Sequence, residues 1–143
     1  MSTLGHTSNF AAHEPGLLLA ERLLDLAGRP GKVFFCNSGA EANETGIKVA
    51  RRTGRSELLA MIGSFHGRTM GALSITGQPK KYEPFTPLLP DVGFVIPNDV
   101  DHLRALVTER TSALCRSRLT RPTLPLHRLR PPRREFLLPD RWS

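Results

Sequence analysis

Apolar positions change their period several times along this chain, and each change marks a different element. The run Gly-Leu-Leu-Leu-Ala-Glu-Arg-Leu-Leu-Asp-Leu-Ala after Pro15 predicts a helix: Pro15 suits a first helical position, and Gly28 and Pro30 stop the pattern. Lys32-Val33-Phe34-Phe35-Cys36, bounded by Gly31 and Asn37, is a short run of β-formers and predicts a strand. Ala42, Gly46, Val49 and Ala50 then recur near helical spacing, leaving Lys48, Arg51, Arg52 and Arg55 to face water until Gly54 ends the pattern. A second strand over 57–62 runs into Gly63-Ser64-Phe65-His66-Gly67-Arg68-Thr69, a polar loop flanked by glycines. Thr69 to Ser74 opens another helix, and 77–90, with Pro79, Pro84, Pro87 and Pro90, reads as a long irregular loop. Val92 to Ile96 is a third strand, Asn98 or Asp99 caps a helix through about Val107, and Ser112 to Cys115 opens a fourth strand. Strands alternating with helices predict an α/β fold with a mostly parallel sheet covered on both faces.

The pattern stops after Cys115, which divides the chain into 1–115 and 116–143. Residues 116–143 hold Pro122, Pro125, Pro131, Pro132 and Pro139 beside eight arginines, with no sustained period. A basic arm for nucleic acid or anionic lipid is one reading. The abrupt switch inside an apparent strand favours another, an Arg/Pro-rich tail that is disordered or read out of frame from a GC-rich gene.

That tail also decides what the charge means. The net charge is +7, but residues 116–143 carry eight Arg against Glu135 and Asp140, a net of +6, so residues 1–115 carry 7 − 6 = +1. A nearly neutral body without a basic groove and interleaved aromatics argues against a nucleic-acid binder. Cys36 and Cys115 suggest neither a metal site nor a disulfide framework, and Cys36 reads as a small buried hydrophobe at a strand end. No window has the apolar length of a membrane span, and the first residues form no signal peptide, so a cytoplasmic location is expected.

The chemistry concentrates at Phe35-Cys-Asn-Ser-Gly-Ala-Glu-Ala-Asn-Glu44. Ser38 and Glu41 have capping-box spacing, so each side chain can satisfy an N–H that the first helical turn leaves unpaired. Gly39 and Ala40 put almost no side chain in the way, and a phosphate could sit on the backbone N–H groups at the positive end of the helix. An ordinary well-capped helix is an equal reading on local physics. The turn lacks the spacing of a nucleoside-triphosphate loop or of a dinucleotide fingerprint, so the ligand would be a phosphate monoester. The loop 63–69, at the end of a buried strand, stands where open α/β sheets bind ligands.

Four segments in unbroken order resemble the class III pyridoxal-phosphate aminotransferases: Leu4-Gly5-His6-Thr7-Ser8-Asn9, Asn37 to Glu44, Phe65-His66-Gly67-Arg68-Thr69, and Leu73-Ser74-Ile75-Thr76-Gly77-Gln78. The likeness covers about Thr3 to Leu114. It implies part of a fold-type I large domain, the domain that binds pyridoxal 5′-phosphate, with the chain an internal piece that starts late and stops early. It implies that Gly39 and Ala40 bind the cofactor phosphate, that Phe65 stacks on its ring, and that Arg68 grips a substrate carboxylate. Taken singly, Phe65 reads as a core aromatic, Arg68 as a surface charge and His66 as a loop hydrogen-bonder; the family order reverses this for Phe65 and Arg68 and leaves His66 open.

The activity implied is amino transfer from a small-molecule amino acid, N-acetylornithine, to 2-oxoglutarate in arginine biosynthesis, and the sequence does not separate this donor from ornithine and succinylornithine. Full-length relatives are expected to be homodimers. The family also uses a lysine that bonds to the cofactor, and none of Lys32, Lys48, Lys80 and Lys81 stands in a matching motif. No catalytic residue and no metal ligand is therefore assigned. A chain inactive on its own is expected, either a piece of such an enzyme or a non-catalytic remnant that binds phosphate.

Overall fold

In the computed structural model, residues 11–116 are described, and three parallel strands form the sheet in the order β2-β1-β3. The central strand β1 (Glu57–Met61) pairs with β2 (Val92–Val95) in the register Leu58 to Val92 and Met61 to Val95. It pairs on its other side with β3 (Thr111–Cys115), with an irregularity between Glu57 and Leu58. Alternation along β1 separates two faces. Leu58 and Ala60 point into a core with Ile47, Ala50 and Ile75, onto which Val92, Phe94, Ala113 and Cys115 pack. On the opposite face Leu59 and Val95 are buried but Leu114 is 41% exposed, so the two-sided cover expected from the sequence is partial among the described residues.

Helix α1 (Glu14–Ala27) starts one residue earlier than predicted, because the imidazole of His13 accepts from the Gly16 N–H and serves as its cap. Gly28 closes it in the left-handed conformation at φ 64°, the role glycine fills most cheaply. Five of its six leucines, Leu17, Leu18, Leu19, Leu23 and Leu26, are exposed, and Leu24 is half-buried.

Three local readings are corrected by the structure. Residues 32–36 are not a strand: among the described residues none of the three strands pairs with them, so strand composition alone does not make a ladder. Cys36 is accordingly exposed rather than buried, its thiol donating to the Ser38 carbonyl at 3.6 Å. Helix α2 (Gly39–Arg51) buries Ile47 and Ala50, with Asn43 and Glu44 half-buried on that side, whereas Ala42, Gly46 and Val49 face outward. The face turns because two polar residues find partners on the neighbouring loop, which outweighs the weak apolar surface of alanine and glycine. Arg51 is half-buried, not free in water, and donates to the Pro90 carbonyl at 3.1 Å.

The remaining elements follow the predicted order. The short α3 (Met70–Ser74) follows Thr69, and α5 (Val100–Leu106) is capped by Asp99, whose carboxylate accepts from the His102 N–H at 2.8 Å. The proline-rich stretch is less irregular than expected, containing α4 (Pro79–Tyr82) and a single 3₁₀ turn. Tyr82 anchors it, stacking on Phe94 with the rings 1° from parallel. Apart from the exposed Arg116, the tail lies outside the described residues.

Candidate functional site

Two short segments build the site, the start of α2 and the loop 63–69 that leaves the carboxyl end of β1. Ser38 caps α2, its hydroxyl accepting from the Glu41 N–H at 3.2 Å. Glu41 reaches back one residue further than an ideal capping box, its carboxylate accepting from the Asn37 N–H at 2.8 Å and from the Asn37 side chain at 3.2 Å. These bonds leave the N–H groups of Gly39 and Ala40 without a partner among the described residues. A side chain added at Gly39 would meet nothing within 4 Å, so the approach to these donors is open.

The loop is drawn against α2 by polar contacts and one close approach. Asn43 donates to the His66 carbonyl at 2.6 Å. The His66 N–H donates to the buried Thr76 hydroxyl at 3.1 Å, and that hydroxyl donates to the Ala72 carbonyl at 2.9 Å. Gly67 passes between Ala40 and Ala72 at φ 142°, where only the absence of a side chain lets the loop meet the helix start. Gly39, Ala40, Asn43, Phe65, His66, Gly67, Arg68 and Thr69 thus line one open cleft of about 560 Å³. The structure therefore brings together all four residues named as candidates from the sequence: Gly39, Ala40, Phe65 and Arg68.

Their surroundings differ. Arg68 is exposed, and its guanidinium has no partner among the described residues, which leaves its fork of donors available for an anion. Phe65 is half-buried, with the Lys81 ammonium 4.7 Å above its ring centroid, a cation–π contact that brings α4 to the cleft wall. His66 is 7% exposed and its buried Nε2 has no partner among the described residues; burial pushes its pKa down, so the ring is neutral near pH 7.

Glu44 went unassigned in the sequence. Its Oε1 accepts from the Thr69 hydroxyl at 2.5 Å, from the Gly71 N–H at 2.9 Å and from the Ala72 N–H at 3.1 Å. Burial alone raises the pKa of this carboxyl, but the bonds from Thr69, Ala72 and Gly71 and the charge of Lys48 outweigh it and hold the carboxyl below its ordinary range. The only trace in the sequence was a pair of polar residues, Asn43 and Glu44, one helical turn before Ile47. Among the described residues no group of three or more His, Cys, Asp and Glu gathers that could hold a metal ion, and no helix is long and apolar enough to cross a membrane.

The model of the aminotransferase class-III family matches residues 1–121. The chain belongs to this family. It is 60% identical over 112 residues to acetylornithine aminotransferase of Streptomyces clavuligerus, covering 78% of this chain and 28% of that protein. It is 57% identical over 116 residues to acetylornithine aminotransferase of Mycobacterium bovis, covering 80% and 29%. The chain thus spans less than a third of the length of these curated relatives. Among solved structures it is similar to an amine transaminase of an uncultivated Pseudomonas species in its PLP-bound form, with a TM-score of 0.65 and 25% identity over 77% of this chain and 32% of that one. A taurine:2-oxoglutarate aminotransferase of Bifidobacterium kashiwanohense, in complex with PLP and glutamate, matches with a TM-score of 0.58 and 33% identity over 66% of this chain and 22% of that one.

Membership in the class-III aminotransferases implies pyridoxal phosphate as cofactor. It also gives the fold its wider identity, a partial α/β piece of a fold-type I aminotransferase. The residues present fit a phosphorylated, flat, aromatic ligand. Unpaired N–H groups at the start of a 13-residue helix suit a phosphate, and an aromatic wall beside them suits a ring.

Proposed function

We propose that this chain carries the phosphate- and carboxylate-binding part of an acetylornithine aminotransferase, an enzyme that passes the amino group of N-acetylornithine to 2-oxoglutarate. The observation that carries the reading is the shared cleft, in which the two unpaired N–H groups of Gly39 and Ala40 stand with Phe65 and Arg68. Gly39 and Ala40 hold the phosphate of pyridoxal 5′-phosphate, with the dipole of α2 favouring its charge. Phe65 bears on the flat face of the ring, and Arg68 binds the carboxylate of the amino-acid substrate, fixing which end of it enters. When bound, the cofactor supplies the electron sink that amino transfer requires.

The neutral His66 ring adds no cation to the wall of the cleft, where Arg68 and, over the Phe65 ring, Lys81 are the charged groups. The 50–60% identity to acetylornithine aminotransferases supports N-acetylornithine over other donors.

Lys81 reaches the cleft wall only as a cation over the Phe65 ring and the other three lysines do not line the cleft, whereas proton transfer at the substrate needs a positioned amine. The chain by itself is therefore a binding unit. Two measurements on the full 143-residue chain test this. Titration with pyridoxamine 5′-phosphate should show saturable binding, and a coupled glutamate-formation assay with pyridoxal phosphate, N-acetylornithine and 2-oxoglutarate should show no turnover. Absence of binding overturns the site, and turnover overturns the assignment of a binding role alone.

A further inference from the structure

Glu44 does not itself line the cleft, yet it makes more bonds across the site than any residue lining it, one of them to Thr69 of the cleft wall. It stands on α2, five residues after Gly39, and its Oε1 gathers the Thr69 hydroxyl and the N–H groups of Gly71 and Ala72. Gly71 and Ala72 are the second and third residues of α3, and Thr69, the residue that precedes α3, makes no capping bond of its own to it. A carboxylate from one helix thus does the work of the missing cap on another, and its negative charge is well placed at the positive end of α3. The fit is tight: a Cβ on Gly71 would collide with the Glu44 carboxyl group, so glycine there is what admits the carboxylate.

The consequence reaches the cleft through one residue. Thr69 directly follows Arg68, and the loop 65–69 is pinned at its other end by Asn43 and Thr76. Without the Glu44 contact the loop would be held at His66 and free at Arg68. We propose that Glu44 is a positioning residue that fixes Arg68 relative to the start of α2, so that phosphate and carboxylate are recognised at a set separation. The proposal rests on the binding reading above. It assigns Glu44 no contact with either ligand; it acts through Thr69 and the start of α3.

A pair of probes separates this role from general support of the fold. Pyridoxamine 5′-phosphate offers the phosphate and ring. N-(5′-phosphopyridoxyl)-L-glutamate offers the same groups with carboxylates attached. The wild-type full-length chain should prefer the second by about tenfold or more, the scale of one charge-assisted pair. Glu44→Ala should bring that preference to within about twofold of unity while changing the affinity for pyridoxamine 5′-phosphate by less than about threefold. Glu44→Gln, which keeps an acceptor oxygen without the charge, should restore part of the preference, and Thr69→Val, which removes only the hydroxyl bond, should lose part of it. A residue that merely supports the fold would weaken both probes together. Undiminished preference in Glu44→Ala or in Thr69→Val, or equal weakening of both probes, overturns the positioning role alone. A wild-type chain that binds neither probe overturns the phosphate reading, and the role of Glu44 falls with it.

Discussion

Replacing Gly67 by alanine puts a methyl group where the loop and α2 meet, and the structure sets the size of the effect. The added Cβ would lie 2.7 Å from the Ala40 Cβ, 2.9 Å from the Ala72 Cβ and 3.0 Å from the Ala40 Cα. None of these atoms is the end of a flexible side chain, so relief requires the backbone of the loop to move away from the helix. Gly63 is the matched control, since it also has a positive φ, 80°, but a Cβ there meets nothing within 4 Å. Backbone strain should cost about 1–3 kcal/mol at either position. Crowding should add about 1–3 kcal/mol at Gly67 alone. With a urea slope of about 1–3 kcal/mol per molar, the extra cost lowers the unfolding midpoint of Gly67→Ala by about 1 M relative to Gly63→Ala. The assay is urea unfolding of the full chain followed by circular dichroism, with pyridoxamine 5′-phosphate titration of each variant. Gly67→Ala should also lose about tenfold in affinity, about 1.4 kcal/mol, because its loop stands off from Ala40, whereas Gly63→Ala should bind as wild type. Equal midpoints and equal affinities for the two variants would refute the close approach as the device that assembles the cleft.

Other outcomes follow from named groups. Ser38→Ala should cost about 1 kcal/mol by urea unfolding, because the Glu41 N–H loses its acceptor; no change would remove the cap from the account. Glu44 and His66 both have folded-state pKa values below their unfolded ones, so each contributes stability above its unfolded pKa that is lost as pH falls through the folded value. The urea midpoint should fall with acid in two stages, beginning near about pH 6.5 for His66 and about pH 4.3 for Glu44, and Glu44→Gln should abolish the lower stage. A midpoint that rises between pH 7 and 4 would contradict both. Cys36 is exposed, whereas Cys115 is half-buried and burial pushes its thiol up, so a thiol reagent near pH 7 should modify Cys36 first. Mass mapping of the first adduct to Cys115 would contradict the exposed course of residues 32–36.

The strongest local signals read correctly because they belong to single residues. The Ser38 cap, the glycine stop at Gly28 and the aspartate cap of α5 each follow from chemistry confined to a few neighbouring positions. The candidates Gly39, Ala40, Phe65 and Arg68 were legible as motifs, although their convergence depends on Asn43 and Gly67, which draw the loop after β1 against the start of α2. What could not be read depends on partners distant in sequence. Residues 32–36 have strand composition but no neighbouring strand among the described residues. The buried face of α2 turned away from Ala42, Gly46 and Val49 because Asn43 and Glu44 bond to residues 23 to 28 positions away. Periodicity weighs apolar surface, and it gave no weight to a carboxylate whose acceptors are satisfied by another helix. Gly67 and Gly71 appeared as loop and helix residues, whereas their lack of a side chain serves contacts across the site.

The account stands on the unpaired N–H groups of Gly39 and Ala40 as the phosphate site, and amide chemical shifts read those two groups directly. Full-length chain labelled with nitrogen-15 is titrated with pyridoxine 5′-phosphate, which has no aldehyde to react with lysines, and in parallel with pyridoxine. The phosphorylated compound should give saturable shifts that are largest at Gly39 and Ala40, followed by Phe65 and Gly67, and pyridoxine should give much smaller ones. Shifts centred instead on the basic stretch Lys48 to Arg52, or equal responses to the two compounds, would contradict it.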